Sequence, residues 1–226
     1  MNTRATTGDP AGTRNRTARS AAAIAGICYS AAWIAGLAVG APNPSVNAAG
    51  YQVVAAFAGH DGPTIAMFVL AEGIAAIALA VVVVLTARAV GPQRGRRAGL
   101  AAAAFGLAAA LVSWAELAMG ASLIYDVVPA GETATAGNLY HALMRVDGAK
   151  MFLLAAMAVA LAELAMTSAV LPRWLARIEL LLAVSLVVSG LAYVLLAPGP
   201  AVSVYVAGAL LLVGVTAAGV TLRTSR

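Results

Sequence analysis

Residues 64–87 have the sequence TIAMFVLAEGIAAIALAVVVVLTA, an apolar stretch with one ionisable residue, Glu72. The segment AVVVVL at 80–85 resembles a buried strand, but the run around it exceeds the roughly 20 residues that cross a bilayer as a helix. An open strand edge would leave backbone groups unpaired in hydrocarbon. Residues 64–87 are therefore predicted to form a transmembrane helix.

Five further apolar stretches accompany this helix. Of the 226 residues, 62% are hydrophobic and 10% are charged, which excludes an ordinary soluble domain. We predict an all-α, polytopic membrane bundle of six transmembrane helices within 21–222, in a multi-pass protein of the cell membrane. Residues 1–20 are predicted to be a disordered basic cytoplasmic tail, and 223–226 a cytoplasmic end. The expected spans are 21–40, 64–87, 98–124, 151–170 with a partly wet outer extension over 140–150, 175–197 and 201–222.

The basic residues predict the orientation. The chain has fourteen Lys and Arg and a formal net charge of +5, but these residues do not form the basic, aromatic-rich surface typical of nucleic-acid binding. With six spans, twelve of them are predicted to lie on the same side of the membrane. The positive-inside rule makes that side cytoplasmic, and both termini are then cytoplasmic. We therefore predict membrane lipid as a partner and no nucleic acid; the sequence leaves the oligomeric state open. The twelve are Arg4, Arg14, Arg16, Arg19, Arg88, Arg94, Arg96, Arg97, Arg173, Arg177, Arg223 and Arg226.

The junction between the fourth and fifth spans carries a resemblance. Residues 169–195, AVLPRWLARIELLLAVSLVVSGLAYVL, resemble a family of uncharacterised six-helix bacterial membrane proteins known only as a domain of unknown function. The order of parts is also similar: a third span with Glu116 inside it, a polar start to the fourth span, and LPRWL at its end. The resemblance implies the six-helix architecture and no particular activity.

Carboxyl groups inside the apolar spans are the strongest indication of function, because each ionisable residue costs roughly 2.5–3.5 kcal/mol at the bilayer centre. By helical rise, Glu72 and Glu116 both lie about 12 Å below the outer boundary. We expect the two to face one another across the second and third spans; if they converge away from cations, at least one of them should be protonated at neutral pH. Asp126 follows at the outer end of the third span, on the same side of the helix as Glu116. Glu72, Glu116 and Asp126 are the candidate catalytic residues.

The outer start of the fourth span adds further polar residues. Asp147 and Lys150 are spaced to pair on one helix face, whereas Arg145 is expected to reach Glu116 or Asp126. The candidate substrate-binding residues are Trp114, Tyr125, His141, Arg145, Asp147 and Lys150. On the cytoplasmic side, the acids Glu163 and Glu179 are expected to have Arg173 or Arg177 within reach. The histidines lack metal-binding spacing, so we predict no metal site and no cofactor.

Three interpretations of these residues remain open. The acids could pair with cations and fix the helix register, as in a non-catalytic membrane subunit. They could line an outward-opening acidic pocket in which a protonated carboxyl group acts on an isoprenoid or lipid-like substrate, as in an acid–base isomerase or cyclase. They could also carry protons in a proton-coupled transporter, although that function needs a polar route through both halves of the membrane. Whether the protein is an enzyme is not determined by the sequence.

Overall fold

A computed structural model of the chain describes residues 10–90 and 95–222. Within these ranges every regular element is helical, which confirms the predicted all-α class. Two π-helical turns interrupt the α-helices, at Val69–Ile74 between α3 and α4 and at Leu123–Val127 after α5. The helices are α1 (Pro10–Ala38), α2 (Gly50–Phe57), α3 (Asp61–Phe68), α4 (Ala75–Val90), α5 (Arg96–Ser122), α6 (Thr133–Thr167), α7 (Leu175–Val194), α8 (Pro198–Ala201) and α9 (Ser203–Thr221).

Within the described residues, six helical stretches are long and apolar enough to cross a membrane, as the sequence predicted. The second is composite, because α3, the first π-turn and α4 form one continuous span. This architecture is compatible with an integral membrane protein, whereas the cell-membrane location and the cytoplasmic side of the termini stay predictions. The six stretches are Arg16–Ala38, Asp61–Val90, Arg96–Val127, Thr133–Thr167, Leu175–Val194 and Pro198–Thr221.

The first helix begins earlier than the sequence predicted. Residues 1–9 of the predicted tail, and the predicted end 223–226, lie outside the described residues. α1 begins at Pro10, so the helix that contains the first span also includes residues 10–20, which the sequence analysis placed in the tail. Proline is well tolerated at the first helical position, and the alanines and arginines that follow are good helix formers. The apolar span therefore extends its helix into the polar segment.

The longest helix, α6, lies between α5 and α7 and packs along both. It runs for 35 residues, roughly 52 Å at 1.5 Å per residue. The sequence analysis placed residues 140–150 in a partly wet outer extension, but Lys150, the midpoint of α6, is buried in the bundle. A helix longer than the hydrocarbon layer can extend beyond it at both ends, so polar residues in its middle come to lie inside the span.

The two ends of the bundle differ in charge. We call one end the basic face: it contains the end of α4, the start of α5 and the α6–α7 connection. Gly95, just before α5, lies close to the end of α6, since a Cβ at Gly95 would lie 3.1 Å from the Leu164 side chain and 3.2 Å from that of Thr167. The other end, the opposite face, carries the loop 39–49 and α2. His141 and Tyr140 hold this loop on α6 by donating hydrogen bonds to the backbone oxygens of Ala48 (3.0 Å) and Pro44 (2.8 Å). Described arginines of the basic face are Arg88, Arg96, Arg97, Arg173 and Arg177.

Candidate functional site

One lysine binds three carboxyl groups inside the bundle. The ammonium Nζ of Lys150 lies 2.8 Å from Glu72 Oε2 and 2.9 Å from Asp147 Oδ1, and it also donates a hydrogen bond to Glu116 Oε2. Glu72 comes from the first π-turn, Glu116 from α5, and Asp147 and Lys150 from α6. We call these four residues the Lys150 cluster; it joins three of the six spans.

The Lys150 cluster is withdrawn from solvent and unequal in charge. Lys150 is 5% exposed and Glu116 is 2% exposed. Three carboxyl groups share a single ammonium, and Glu116 Oε1 has no hydrogen-bond partner among the described residues. Because α6 runs about 26 Å to either side of Lys150, the cluster lies near mid-depth of the bundle. An excess of negative charge buried at this depth costs free energy unless an additional positive charge compensates it.

The first π-turn positions Glu72. A π-turn contains more residues per turn than an α-helix and is frequent at functional sites; here Val69–Ile74 turns Glu72 inward, toward Lys150. The π-turn contacts both neighbouring helices. A Cβ at Gly36 of α1 would lie 3.5 Å from the Leu70 side chain, and one at Gly73 would lie 3.5 Å from the Leu117 side chain of α5. The π-turn thus packs between α1 and α5.

Two small cavities adjoin the Lys150 cluster. One, of about 20 Å³, is lined by Glu72, Ser113 and Lys150; the other, of about 60 Å³, is lined by Asp147 and Lys150 together with residues of α7 and α9. Tyr29 and Trp33 of α1 line both. A cavity of about 10–15 Å³ holds one water molecule, so these spaces suit water or a small ion. The sequence analysis missed Tyr29 and Trp33, whose i, i+4 spacing on one helix face was the available signal.

The structure brings together four of the predicted site residues. Glu72 and Glu116 converge, which confirms their predicted juxtaposition, and Asp147 pairs with Lys150 as its i, i+3 spacing predicted. The condition for a glutamate pair without a cation is not met, because Lys150 binds both glutamates. The reason is the depth of Lys150, which lies within the span and not at its outer rim.

Three other predicted site residues face outward. Asp126 lies in the second π-turn, is exposed, and accepts a hydrogen bond from Ser122 Oγ at 3.1 Å. Tyr125 is exposed beside it, and Trp114 is 51% exposed on the outer surface of α5. These residues line neither cavity of the Lys150 cluster. The prediction of Asp126 above Glu116 used the phase of an uninterrupted α-helix, which the second π-turn changes.

The remaining two predicted site residues, His141 and Arg145 of α6, also do not belong to the Lys150 cluster. Arg145 is exposed, and no described carboxylate forms an ion pair with it, so its predicted pairing with Glu116 or Asp126 is wrong. Five positions along a helix turn a side chain through about 140° relative to its starting direction, which directs Arg145 away from the side that Lys150 occupies. His141 is engaged with the loop 39–49.

The two acids nearer the basic face differ from the prediction. Glu179 is 1% exposed on α7, and neither of its carboxyl oxygens has a hydrogen-bond partner within the described residues, so it does not pair with Arg177 or Arg173. Its side chain lies against Gly214 of α9. Glu163 is exposed and lines an open groove with Arg96 and Arg97.

The described residues contain no group of three His, Cys, Asp or Glu arranged to hold a metal ion. The resemblance of residues 169–195 to a six-helix family stays a prediction, as do the roles of the site residues. No protein-family model, curated protein or solved structure matches the chain.

Proposed function

We propose that this chain is a proton-coupled integral membrane protein in which the Lys150 cluster takes up and releases protons. The observation that carries the proposal is the single ammonium of Lys150 bonded to three carboxyl groups at the middle of a membrane-spanning helix. Ionisable residues at this depth are rare and characteristic of ion and proton pathways. An ion pair that only links helices needs one carboxylate for each ammonium, whereas this cluster has three carboxyl groups for one ammonium.

Charge balance supports proton binding. With all three carboxyl groups ionised, the cluster has a net negative charge in a medium that stabilises charge poorly. A proton is the smallest cation that can reduce it, and the adjoining spaces of about 20 and 60 Å³ are large enough for water that delivers protons. The unpartnered Oε1 of Glu116 is available to carry a proton.

Exposure indicates the side from which protons arrive. The Asp147 side chain is 21% exposed, whereas that of Glu116 is 2% exposed. Asp147 lies one turn nearer the opposite face than Lys150, and the cavity beside it extends to Val204 in the first turn of α9. Protons therefore pass from the opposite face to Asp147 and then to the buried glutamates.

Infrared spectroscopy on the protein in detergent tests the proposal, because a protonated carboxyl group has a carbonyl band that a carboxylate lacks. We expect this band to change between mildly acidic and mildly alkaline pH, and the change to shrink in Glu72→Gln, Glu116→Gln and Asp147→Asn. Glu163→Gln, which removes an exposed carboxyl group, is the control. A band that is independent of pH, or equal in the parent and all three cluster variants, would overturn the proposal.

A second candidate function uses the same cluster as an acid–base catalyst, an isomerase or cyclase for an isoprenoid or lipid-like substrate. It is favoured by Ala76, which lines both the cavity at Glu72 and a large apolar groove between α4 and α5. The cavities at the cluster are too small for such a molecule, so catalysis requires the helices to part at Ala76. Under this function, lipid extracts of Glu116→Gln contain an accumulated substrate that is absent from the parent; identical extracts contradict it.

The orientation of the protein decides which compartment supplies the protons. We propose that the basic face is cytoplasmic, as the positive-inside rule implies. In a Cys28→Ser background, which removes the exposed native thiol, cysteines introduced at Ser45 and Thr133 should react with a membrane-impermeant reagent from outside the cell, and one at Gln93 should not. Labelling at Gln93 alone would reverse the orientation.

A further inference from the structure

An apolar groove runs along the outer surface of the bundle between α4 and α5. Its volume is about 750 Å³, within the range of about 300–1,000 Å³ typical of ligand sites. Small side chains form its floor, and exposed larger ones such as Ile77, Val81 and Leu111 form its sides. It is lined by residues of α4 between Ala76 and Arg88 and by residues of α5 between Leu107 and Trp114.

The length of the groove matches one leaflet of a bilayer. From Ala76 to Arg88 the axis of α4 rises about 18 Å, compared with about 15 Å for half of the hydrocarbon core. The groove thus begins near mid-depth, close to the Lys150 cluster, and ends at the basic face. A molecule that fills the groove would have its apolar end at mid-depth of the bundle and its polar end at the membrane surface.

The charge at the end of the groove indicates the polar group of the ligand. Of the described residues that line the groove, Arg88 alone is charged. It lies in the last turn of α4, is exposed, and forms no ion pair with any described carboxylate. A guanidinium at the level of the headgroups is suited to a phosphate group, which it can bind through two parallel hydrogen bonds.

We propose that the α4–α5 groove binds one anionic phospholipid of the bilayer, with an acyl chain along the groove and the phosphate at Arg88. The bound acyl chain fills the concave groove and covers the apolar side chains that line it. None of the four cluster residues lines the groove, so lipid binding there does not require proton exchange at the Lys150 cluster.

Native mass spectrometry of the detergent-purified protein tests this site after incubation with vesicles of phosphatidylglycerol or of phosphatidylcholine. We expect one phosphatidylglycerol to be retained in preference to phosphatidylcholine. Arg88→Gln should lower phosphatidylglycerol retention about fivefold, the change that corresponds to about 1 kcal/mol for an arginine near an anionic lipid surface. Arg177→Gln, which removes an exposed arginine of the same face outside the groove, should retain as much as the parent.

A second pair of variants tests the apolar part of the site. Ala110→Leu fills the groove and should reduce retention of the lipid, whereas Val184→Leu, on an exposed apolar surface of α7 away from the groove, should not. Thermal unfolding of each variant shows whether it is folded. Equal retention in the Arg88→Gln and Arg177→Gln variants, or no preference between the two lipids, would overturn the proposal. Release of the lipid by soluble glycerol phosphate would show that the site binds free phosphate and would overturn it as well.

Discussion

The Lys150 cluster and Glu179 are two buried acidic sites with different surroundings. In the cluster, carboxyl groups from three helical segments share the ammonium of Lys150. Glu179 of α7 lies against Gly214 of α9, and neither of its oxygens has a hydrogen-bond partner in the described part of the chain. Burial alone therefore does not define the role of an acid: the cluster links helices by ion pairs, whereas Glu179 is held by packing.

The largest expected effect comes from removing the shared cation. Lys150→Met leaves two buried carboxyl groups, Glu72 and Glu116, and the partly exposed Asp147 without their common partner. Breaking a buried ion pair typically costs about 3–5 kcal/mol. We expect a loss of unfolding free energy of this size, measured by denaturant titration in detergent. Adding Glu116→Leu to Lys150→Met should restore part of the loss. An unchanged midpoint for Lys150→Met would mean that the cluster does not link the helices.

A smaller loss is expected when one carboxyl group of the cluster becomes an amide. Glu116→Gln keeps the shape of the side chain and an oxygen that can accept from Lys150, but it weakens a charge-assisted hydrogen bond. We expect a loss of about 1 kcal/mol in unfolding free energy, and a larger loss for Glu116→Leu, which removes the acceptor. Equal stability of the two variants would contradict the assigned hydrogen bond.

The opposite sign is expected at Glu179. Glu179→Met replaces an unpartnered carboxyl group by an apolar side chain of similar length, and relief of a buried unsatisfied group is worth about 1–3 kcal/mol. Thermal unfolding in detergent should show a gain in stability, with no change for the exposed control Glu163→Met. A loss of stability would show that Glu179 has a partner and resembles the Lys150 cluster more closely than the structure indicates.

The smallest effects are expected at the outward-facing residues. Arg145→Ala and Asp126→Asn should unfold at the same temperature as the parent, because neither side chain lies in the cluster. Both variants should also keep the pH-dependent infrared band. A clear destabilisation by Arg145→Ala would indicate an ion pair with an acid, as the sequence analysis expected.

The six spans were predictable because their physical signal is strong. Each requires only a run of apolar residues long enough for the bilayer, and residues 64–87 and 175–197 meet this condition whatever their neighbours are. Part of the Lys150 cluster was also predictable. The positions of Glu72 and Glu116 along the second and third spans place both at the same depth. Depth along a helix follows directly from residue number.

Rotation about the helix axis was harder to predict. A helix that is apolar on all sides gives little indication of which side faces the bundle, so Trp114 and Arg145 were assigned to the interior. The π-turns at 69–74 and 123–127 add to this difficulty, because they change the phase of residues beyond them without a marked sequence signal. Tyr29 and Trp33 of α1 share one helix face by their i, i+4 spacing, but that spacing does not specify which distant segment of the chain this face contacts.

The ion pairs of Lys150 also set an order for biosynthesis. Lys150 follows Glu72 by 78 residues and Glu116 by 34 residues, so both glutamates leave the ribosome before the cation that binds them. In a membrane, the second and third spans would have to insert through their apolar residues alone, and the fourth span, which carries Lys150, would complete the charge pairing. A chain that stops before α6 would lack Lys150 and leave Glu72 and Glu116 without their common cation.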